Sequence, residues 1–90
     1  MIITAPTDGF IGPVKRSVTI AGHATSISLE PIFWTALEAQ AQLRALPLNA
    51  LIAQVDALRI VVAEPPNLAS ALRSWLLEQH LCDGNENRSQ

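Results

Sequence analysis

The stretch from Ala24 to Leu29 limits what this chain can fold into more than any other part of the sequence. Its side chains alternate: Thr25, Ile27 and Leu29 share one face, and Ala24, Ser26 and Ser28 share the other. A period of two predicts a β-strand with its apolar face on the core and its small polar face outward. A lone strand with two open edges is not stable in water. We therefore expect the strand to pair with its own copy in a second subunit.

Size and composition also favour an oligomer. The chain has 90 residues, of which 49% are hydrophobic and 16% charged, which suits one small domain with more apolar surface than a monomer easily hides. The formal net charge of −2 gives no general attraction to nucleic acid, so a basic patch must be local. The sequence has no run of 18 or more apolar residues, so no membrane span is expected, and the N-terminus does not resemble a secretory signal. We expect a cytoplasmic protein.

The order of predicted elements is strand, helix, short turn, helix and one further helix. Residues 1–13 form an N-terminal arm with a turn at Asp8-Gly9, and residues 14–81 form the domain. Before the strand at 24–29, Ser17–Ala21 also alternates like a strand, and Gly22 is interpreted as a bulge or bend. The helices are predicted at about 30–45, 48–62 and 67–80, separated by Pro47 and by Pro65-Pro66. The tail at 82–90 is expected to be disordered.

The first predicted helix is apolar on two nearly opposite sides. One stripe is formed by Phe33, Trp34, Leu37 and Ala41, and the second by Ile32, Ala36, Ala39 and Leu43. A helix of this kind is expected to lie between other elements. In the third helix, Asn67 is the predicted N-cap, and the buried stripe is formed by Leu68, Leu72, Trp75 and Leu76.

Catalytic chemistry has little support in the sequence. His23 and His80 are far apart, no metal-ligand spacing surrounds either, and Cys82 lies at the end of a helix where a fixed geometry is hard to maintain. The carboxylates are scattered one to a segment, and the glycines make no phosphate-binding pattern. We therefore predict no enzyme activity, no metal site and no cofactor.

A family resemblance rests on the stretch Lys15–His23, on Thr25–Pro31, and on Phe33-Trp34 with Leu37. Ala41, Leu51-Ile52, Asp56 and Asn67–Arg73 continue it. These residues resemble the ribbon-helix-helix proteins of the Arc and methionine repressor type, and in detail a bacterial ribbon-helix-helix-like family of otherwise unknown function. The resemblance covers roughly residues 15–77, and its most specific part is 22–34.

The resemblance implies a mainly α fold. Two subunits would form an intermolecular two-stranded antiparallel ribbon that enters the DNA major groove, supported by two core helices, with an extra C-terminal helix. The implied function is a homodimeric transcription regulator, with higher oligomers and a protein partner on the C-terminal helix left open. Ala24, Ser26 and Ser28 would face the bases, and Lys15, Arg16 and His23 the phosphates. Backbone amides around Leu48 and Asn49 would also bind phosphate.

Two departures from the family pattern weaken the implied DNA contacts. Ala24 stands where the family usually has a basic residue, and Pro47 stands where a capping Ser or Thr is common. Ala24, the net acidity and the extra apolar third helix favour an alternative: a protein-interaction or antitoxin-like dimer on the same scaffold, with weak or lost DNA binding. Double-stranded DNA is the partner expected under the first hypothesis, and another protein under the second.

Overall fold

A two-stranded antiparallel ribbon opens the fold and three helices follow it. The computed structural model describes residues 2–88, and the side chains of residues 2–82. The strands are β1 (Val14–Ile20) and β2 (His23–Leu29), and the helices are α1 (Pro31–Leu43), α2 (Leu48–Arg59) and α3 (Leu68–Arg88). This arrangement confirms the predicted ribbon, the two core helices and the extra C-terminal helix.

The ribbon is formed within one chain, which corrects one expectation. Residues 24–29 were predicted to lack a pairing partner in a single copy, but β2 pairs with β1 from Val14↔Leu29 to Ile20↔His23. The physical reason is the loop between them. Ala21 and Gly22 both have positive φ, 50° and 83°, as a tight two-residue hairpin turn requires. Gly22 is thus a turn residue rather than a bulge.

The core lies under one face of the ribbon. Val18 of β1 and Ile27 and Leu29 of β2 are buried against helix side chains, as the alternation predicts for β2. The helix residues buried with them are Trp34, Leu37, Ala41, Leu51, Ile52, Val55, Leu72 and Leu76. Burial of the Val, Leu and Ile side chains in this set, each worth about 1.5–3 kcal/mol, holds the ribbon to the helices.

The helices begin where the sequence predicts. Pro31 is the first residue of α1, and the side-chain oxygen of Asn67 accepts a 2.8 Å hydrogen bond from the amide of Ser70 at the start of α3. The ends differ. Helix α2 stops at Arg59 rather than near 62, before the β-branched run Ile60–Val62.

Helix α3 runs through Arg88, past the predicted end near 80 and into the segment expected to be a disordered tail. A single glycine within a helix costs only about 1 kcal/mol, so Gly84 does not forbid this. The last two residues of the predicted tail, 89 and 90, lie outside the described residues.

Helix α3 packs on its own subunit. Arg73 on α3 forms an ion pair of 2.8 Å with Glu30 at the start of α1, and Arg44, just after α1, donates a 3.1 Å hydrogen bond to Gln79. The apolar stripe predicted for α3 is buried or half-buried within the chain. Because the stripe is covered within one chain, the structure does not support the expectation that it binds a protein partner.

The second apolar stripe of α1 differs from expectation. The sequence predicts cover on both sides of the helix, and the first stripe is indeed buried or half-buried. On the opposite side Ile32 and Leu43 are 65% and 75% exposed. Within the described part of a single chain, one side of α1 stays open.

Candidate nucleic-acid interface

The outward face of the ribbon collects six exposed residues from the two strands. The strand register places Lys15 opposite Ser28, Ser17 opposite Ser26, and Thr19 opposite Ala24. The face thus carries the hydroxyl groups of three serines and one threonine, one alanine and one lysine, and no bulky apolar side chain. Adjacent strands lie about 4.8 Å apart, so the ribbon is narrow enough for the DNA major groove, about 12 Å wide.

Arg16 lies on the opposite face of the ribbon from Lys15, because neighbouring residues in a strand point to opposite sides. Its guanidinium lies 4.7 Å from the centroid of the Trp34 ring and 3.2 Å from the Glu38 carboxylate. Trp34 in turn donates a 2.9 Å hydrogen bond from Nε1 to the carbonyl oxygen of Val14. Arg16 therefore helps to join β1 to α1, and of the two predicted cations only Lys15 belongs to the outward face.

His23 also falls outside the outward face. It is the first residue of β2, directly after the turn, and shares the parity of Thr25 and Ile27. Its side chain is exposed at the tip of the ribbon. The ribbon thus brings together Lys15, Ala24, Ser26 and Ser28 from the predicted set, and separates Arg16 and His23 from them.

The start of α2 provides the predicted backbone amides. Pro47 occupies the N-cap position with extended angles and makes no side-chain cap hydrogen bond. Its carbonyl accepts hydrogen bonds from the amides of Ala50 and Leu51, and the earlier amides of Leu48 and Asn49 have no acceptor within the helix. Asn49 is exposed, whereas Leu48 is half-buried against the core. Any ligand contact by Leu48 would therefore be through its backbone.

Ser17 and Thr19 belong to the outward face and were not among the predicted site residues. The sequence contains part of the signal for them. A two-residue loop that ends in glycine is compatible with a hairpin as well as with a bulge, and once the hairpin is known the register follows from the loop length. In that register Ser17 and Thr19 share a face with Ser26 and Ala24.

Among the described residues, no group of three or more His, Cys, Asp or Glu side chains is placed to hold a metal ion. Across that same part of the chain, no helix combines the length and apolar character that crossing a membrane requires. Cys82 is a free, exposed thiol on α3.

An antiparallel β-ribbon with a small polar outer face, leading directly into two core helices, defines the ribbon-helix-helix class of protein. In agreement, the sequence model of the family described as "Ribbon-helix-helix domain" matches residues 13–80. The chain belongs to this family, and the resemblance predicted from its sequence is confirmed. No curated protein and no solved structure matches the chain.

Proposed function

We propose that this protein is a DNA-binding transcription regulator that acts as a homodimer and places the outward face of its ribbon in the major groove. The observation that carries the proposal is the composition of that face, which presents small polar side chains and a lysine on a two-stranded ribbon. Membership of the ribbon-helix-helix family supports the same function.

In this proposal, residues from both strands contact the base edges. Ser26 and Ser28 on β2 and Ser17 and Thr19 on β1 present hydroxyls, which both donate and accept hydrogen bonds. Hydroxyl groups discriminate bases poorly because they suit either partner, and Ala24 offers only a methyl group for contact with thymine. The expected sequence preference is therefore shallow.

Phosphate contacts supply most of the proposed affinity. Lys15 is the cation on the outward face, and the free amides of Leu48 and Asn49 at the start of α2 suit an anion because the helix dipole is positive there. Arg16 already makes a cation–π contact with Trp34 and an ion pair with Glu38 of its own chain. We therefore assign the phosphate contact to Lys15 and a structural role to Arg16.

The test is a salt titration of binding to random-sequence duplex DNA, starting at low salt. The wild-type protein should bind with a micromolar dissociation constant that rises steeply with salt. Lys15→Ala should weaken binding and reduce the slope of log K against log salt by about 0.9 for each lysine lost. Arg16→Ala is the matched control, since it removes a neighbouring cation from the other face. Equal slopes for the wild type and Lys15→Ala would contradict the proposed contact.

A second candidate function is a protein-interaction dimer on the same scaffold. The observation in its favour is the weak charge of the outward face, where a single lysine stands in a chain of net charge −2. The same titration separates the two candidates. Absence of any shift in DNA mobility at low salt favours the interaction dimer, whereas micromolar binding favours DNA.

A further inference from the structure

We propose that the unit that enters the major groove is the ribbon of a single chain, and that it contacts one site of about four to five base pairs without twofold symmetry. The resemblance to Arc-type repressors implies a different arrangement, a ribbon built from one strand of each subunit. A homodimer of this protein would instead carry two complete ribbons. The inference rests on the proposed function and specifies the kind of DNA site that this function requires.

The ribbon is complete within one chain. All seven residues of β1 pair with the seven residues of β2. The loop between the strands consists of Ala21 and Gly22, which both have the positive φ of a tight hairpin turn. Because the loop is this short, β1 cannot be replaced by a strand of another chain unless the whole hairpin opens.

Contacts within the same chain also fix the orientation of the ribbon. On its inner face, Val18, Ile27 and Leu29 are buried in the core with side chains of all three helices. At the end of the ribbon away from the turn, Nε1 of Trp34 donates a 2.9 Å hydrogen bond to the carbonyl oxygen of Val14. The outward face is therefore held in position without a strand from a second subunit.

The width of the ribbon fits the major groove while it has two strands. Pairing of β2 with β2 of a second copy, the arrangement expected from the sequence, would join two hairpins into a four-stranded sheet. Such a sheet measures about 14 Å between its outer backbones, which is wider than the major groove of about 12 Å. The single hairpin is the form of the ribbon that can enter the groove.

The two strands present different side chains, so the outward face has no twofold symmetry. From the open end of the ribbon to the turn, its three rows are Lys15 with Ser28, Ser17 with Ser26, and Thr19 with Ala24. A ribbon made of the same strand from two copies would repeat each side chain about a dyad, and its site would be a palindrome. In this protein the cation lies at one end of the face only, so the two ends of the DNA site should differ.

The spacing of the rows sets the length of the site. Each residue advances a strand by about 3.4 Å, so neighbouring rows are about 6.8 Å apart and three rows extend over about 14 Å. Successive base pairs of B-DNA are about 3.4 Å apart along the helix axis. The outward face therefore covers about four to five base pairs when the ribbon lies along the groove.

The first experiment traps the pairing of the strands in the DNA-bound protein. Thr19 and Ala24 lie opposite each other, one pair away from the turn. Such a non-hydrogen-bonded pair has its Cα atoms about 4.5 Å apart, which suits a disulfide. In a Cys82→Ser background, the double variant Thr19→Cys with Ala24→Cys is bound to random-sequence duplex at low salt, oxidised, and denatured without reductant. The expected product has the mass of one chain and no free thiol.

The matched control is Thr19→Cys with Thr25→Cys. It has the same number of thiols, but position 25 lies on the other face of the ribbon, so no cross-link within the chain is expected. For the test variant, a disulfide between two chains, or two thiols that stay reduced, would overturn the inference.

The second experiment measures the symmetry of the site. Because the wild-type preference is expected to be shallow, Ala24→Arg is used to add one strong base contact at the turn end of the face. Selection from random duplexes should give one guanine at one end of a site of about five base pairs, and replacing that guanine should weaken binding at least fivefold. Two guanines related by a dyad within those base pairs would overturn the inference.

Failure of this inference is distinct from failure of the proposed function. A cross-link between chains in the DNA-bound protein overturns the single-chain ribbon and leaves DNA binding intact. A wild type that binds no duplex at low salt overturns DNA binding and the inference with it, whereas oxidation of the same double variant without DNA still shows whether one chain forms the ribbon.

Discussion

The guanidinium of Arg16 lies 4.7 Å from the ring centroid of Trp34, on the opposite side of the ribbon from Lys15. Two consecutive cations therefore have different surroundings. Arg16 lies over the ring of a buried indole and pairs with Glu38, whereas Lys15 lies on the outward face opposite Ser28. In a strand, one step along the chain is enough to separate a structural cation from a candidate ligand contact.

Arg16→Ala should lower the free energy of unfolding by about 1–2 kcal/mol. The loss combines a cation–π contact of roughly 0.5–1 kcal/mol with a surface ion pair and with packing of the arginine stem on Trp34. Urea unfolding followed by tryptophan fluorescence measures it. Lys15→Ala is the control and should change stability by less than about 0.5 kcal/mol. Equal destabilisation by both variants would contradict the separate roles.

The hairpin turn offers a stabilising change. Ala21 has a φ of 50°, a conformation that costs a residue with a Cβ about 1–2 kcal/mol and that asparagine tolerates better. Ala21→Asn, which creates the preferred Asn-Gly turn, should raise the free energy of unfolding by about 0.5–1 kcal/mol. Thermal and urea unfolding measure the change.

A substitution at the next position, Gly22→Ala, is the control and is expected to have the opposite effect on stability. Gly22 has a φ of 83°, and a Cβ added there would meet no atom within 4 Å. Gly22→Ala should therefore destabilise the protein through backbone strain alone. A neutral Gly22→Ala would show that the turn does not hold this conformation in solution.

The helices and the direction of the β2 side chains could be predicted because each follows from local periodicity. Ile27 and Leu29 are buried and Ser26 and Ser28 exposed, as alternation requires. The pairing of β2 was missed because it depends on the turn: Ala21 gave no sign of a positive φ, and glycine alone fits a bulge as well as a turn.

The candidate site was predicted in part for the same reason. The sequence shows Lys15 and Arg16 only as two adjacent basic residues and does not say which of them faces outward. Their register against β2 and the position of Trp34 distinguish them in the structure. Likewise, the double apolar character of α1 predicts cover on both sides of the helix but does not say which element supplies it.

The ion pair between Glu30 and Arg73 predicts a pH dependence of stability. The pKa of the Glu30 carboxyl lies below its ordinary value of 4.5, chiefly because the Arg73 side chain donates hydrogen bonds to it. A hydrogen bond from the backbone amide of Glu30 itself and the positive charge of Arg73 lower the pKa further, and desolvation opposes them without reversing the shift. Because the pKa is lowered in the folded state, the stabilisation is present above pH 4.5 and is lost as the pH falls through the lowered pKa.

Glu30→Gln should accordingly be less stable than the wild type at pH 7, and the difference should shrink as the pH falls below 4.5. Urea unfolding at pH 7, 4.5 and 3 measures the effect. Glu78→Gln, an exposed carboxylate on α3 away from Arg73, is the control for general charge effects. A difference between the wild type and Glu30→Gln that stays constant from pH 7 to 3 would show that the Arg73 contact is not formed in solution.

Ala24 is the position where a gain of DNA binding is expected under the proposed function. It lies on the outward face opposite Thr19, in the same row as Ser26 and Ser28, and its side chain is exposed. Ala24→Arg would add a guanidinium that can bond the O6 and N7 atoms of guanine together, which is worth about 1–3 kcal/mol of discrimination. The expected result is tighter binding and a clearer base preference in a selection from random duplexes.

Thr25→Arg, on the inner side of the same strand, controls for the added charge. If both variants gain affinity equally and neither gains sequence preference, the outward face is not the surface that meets the bases.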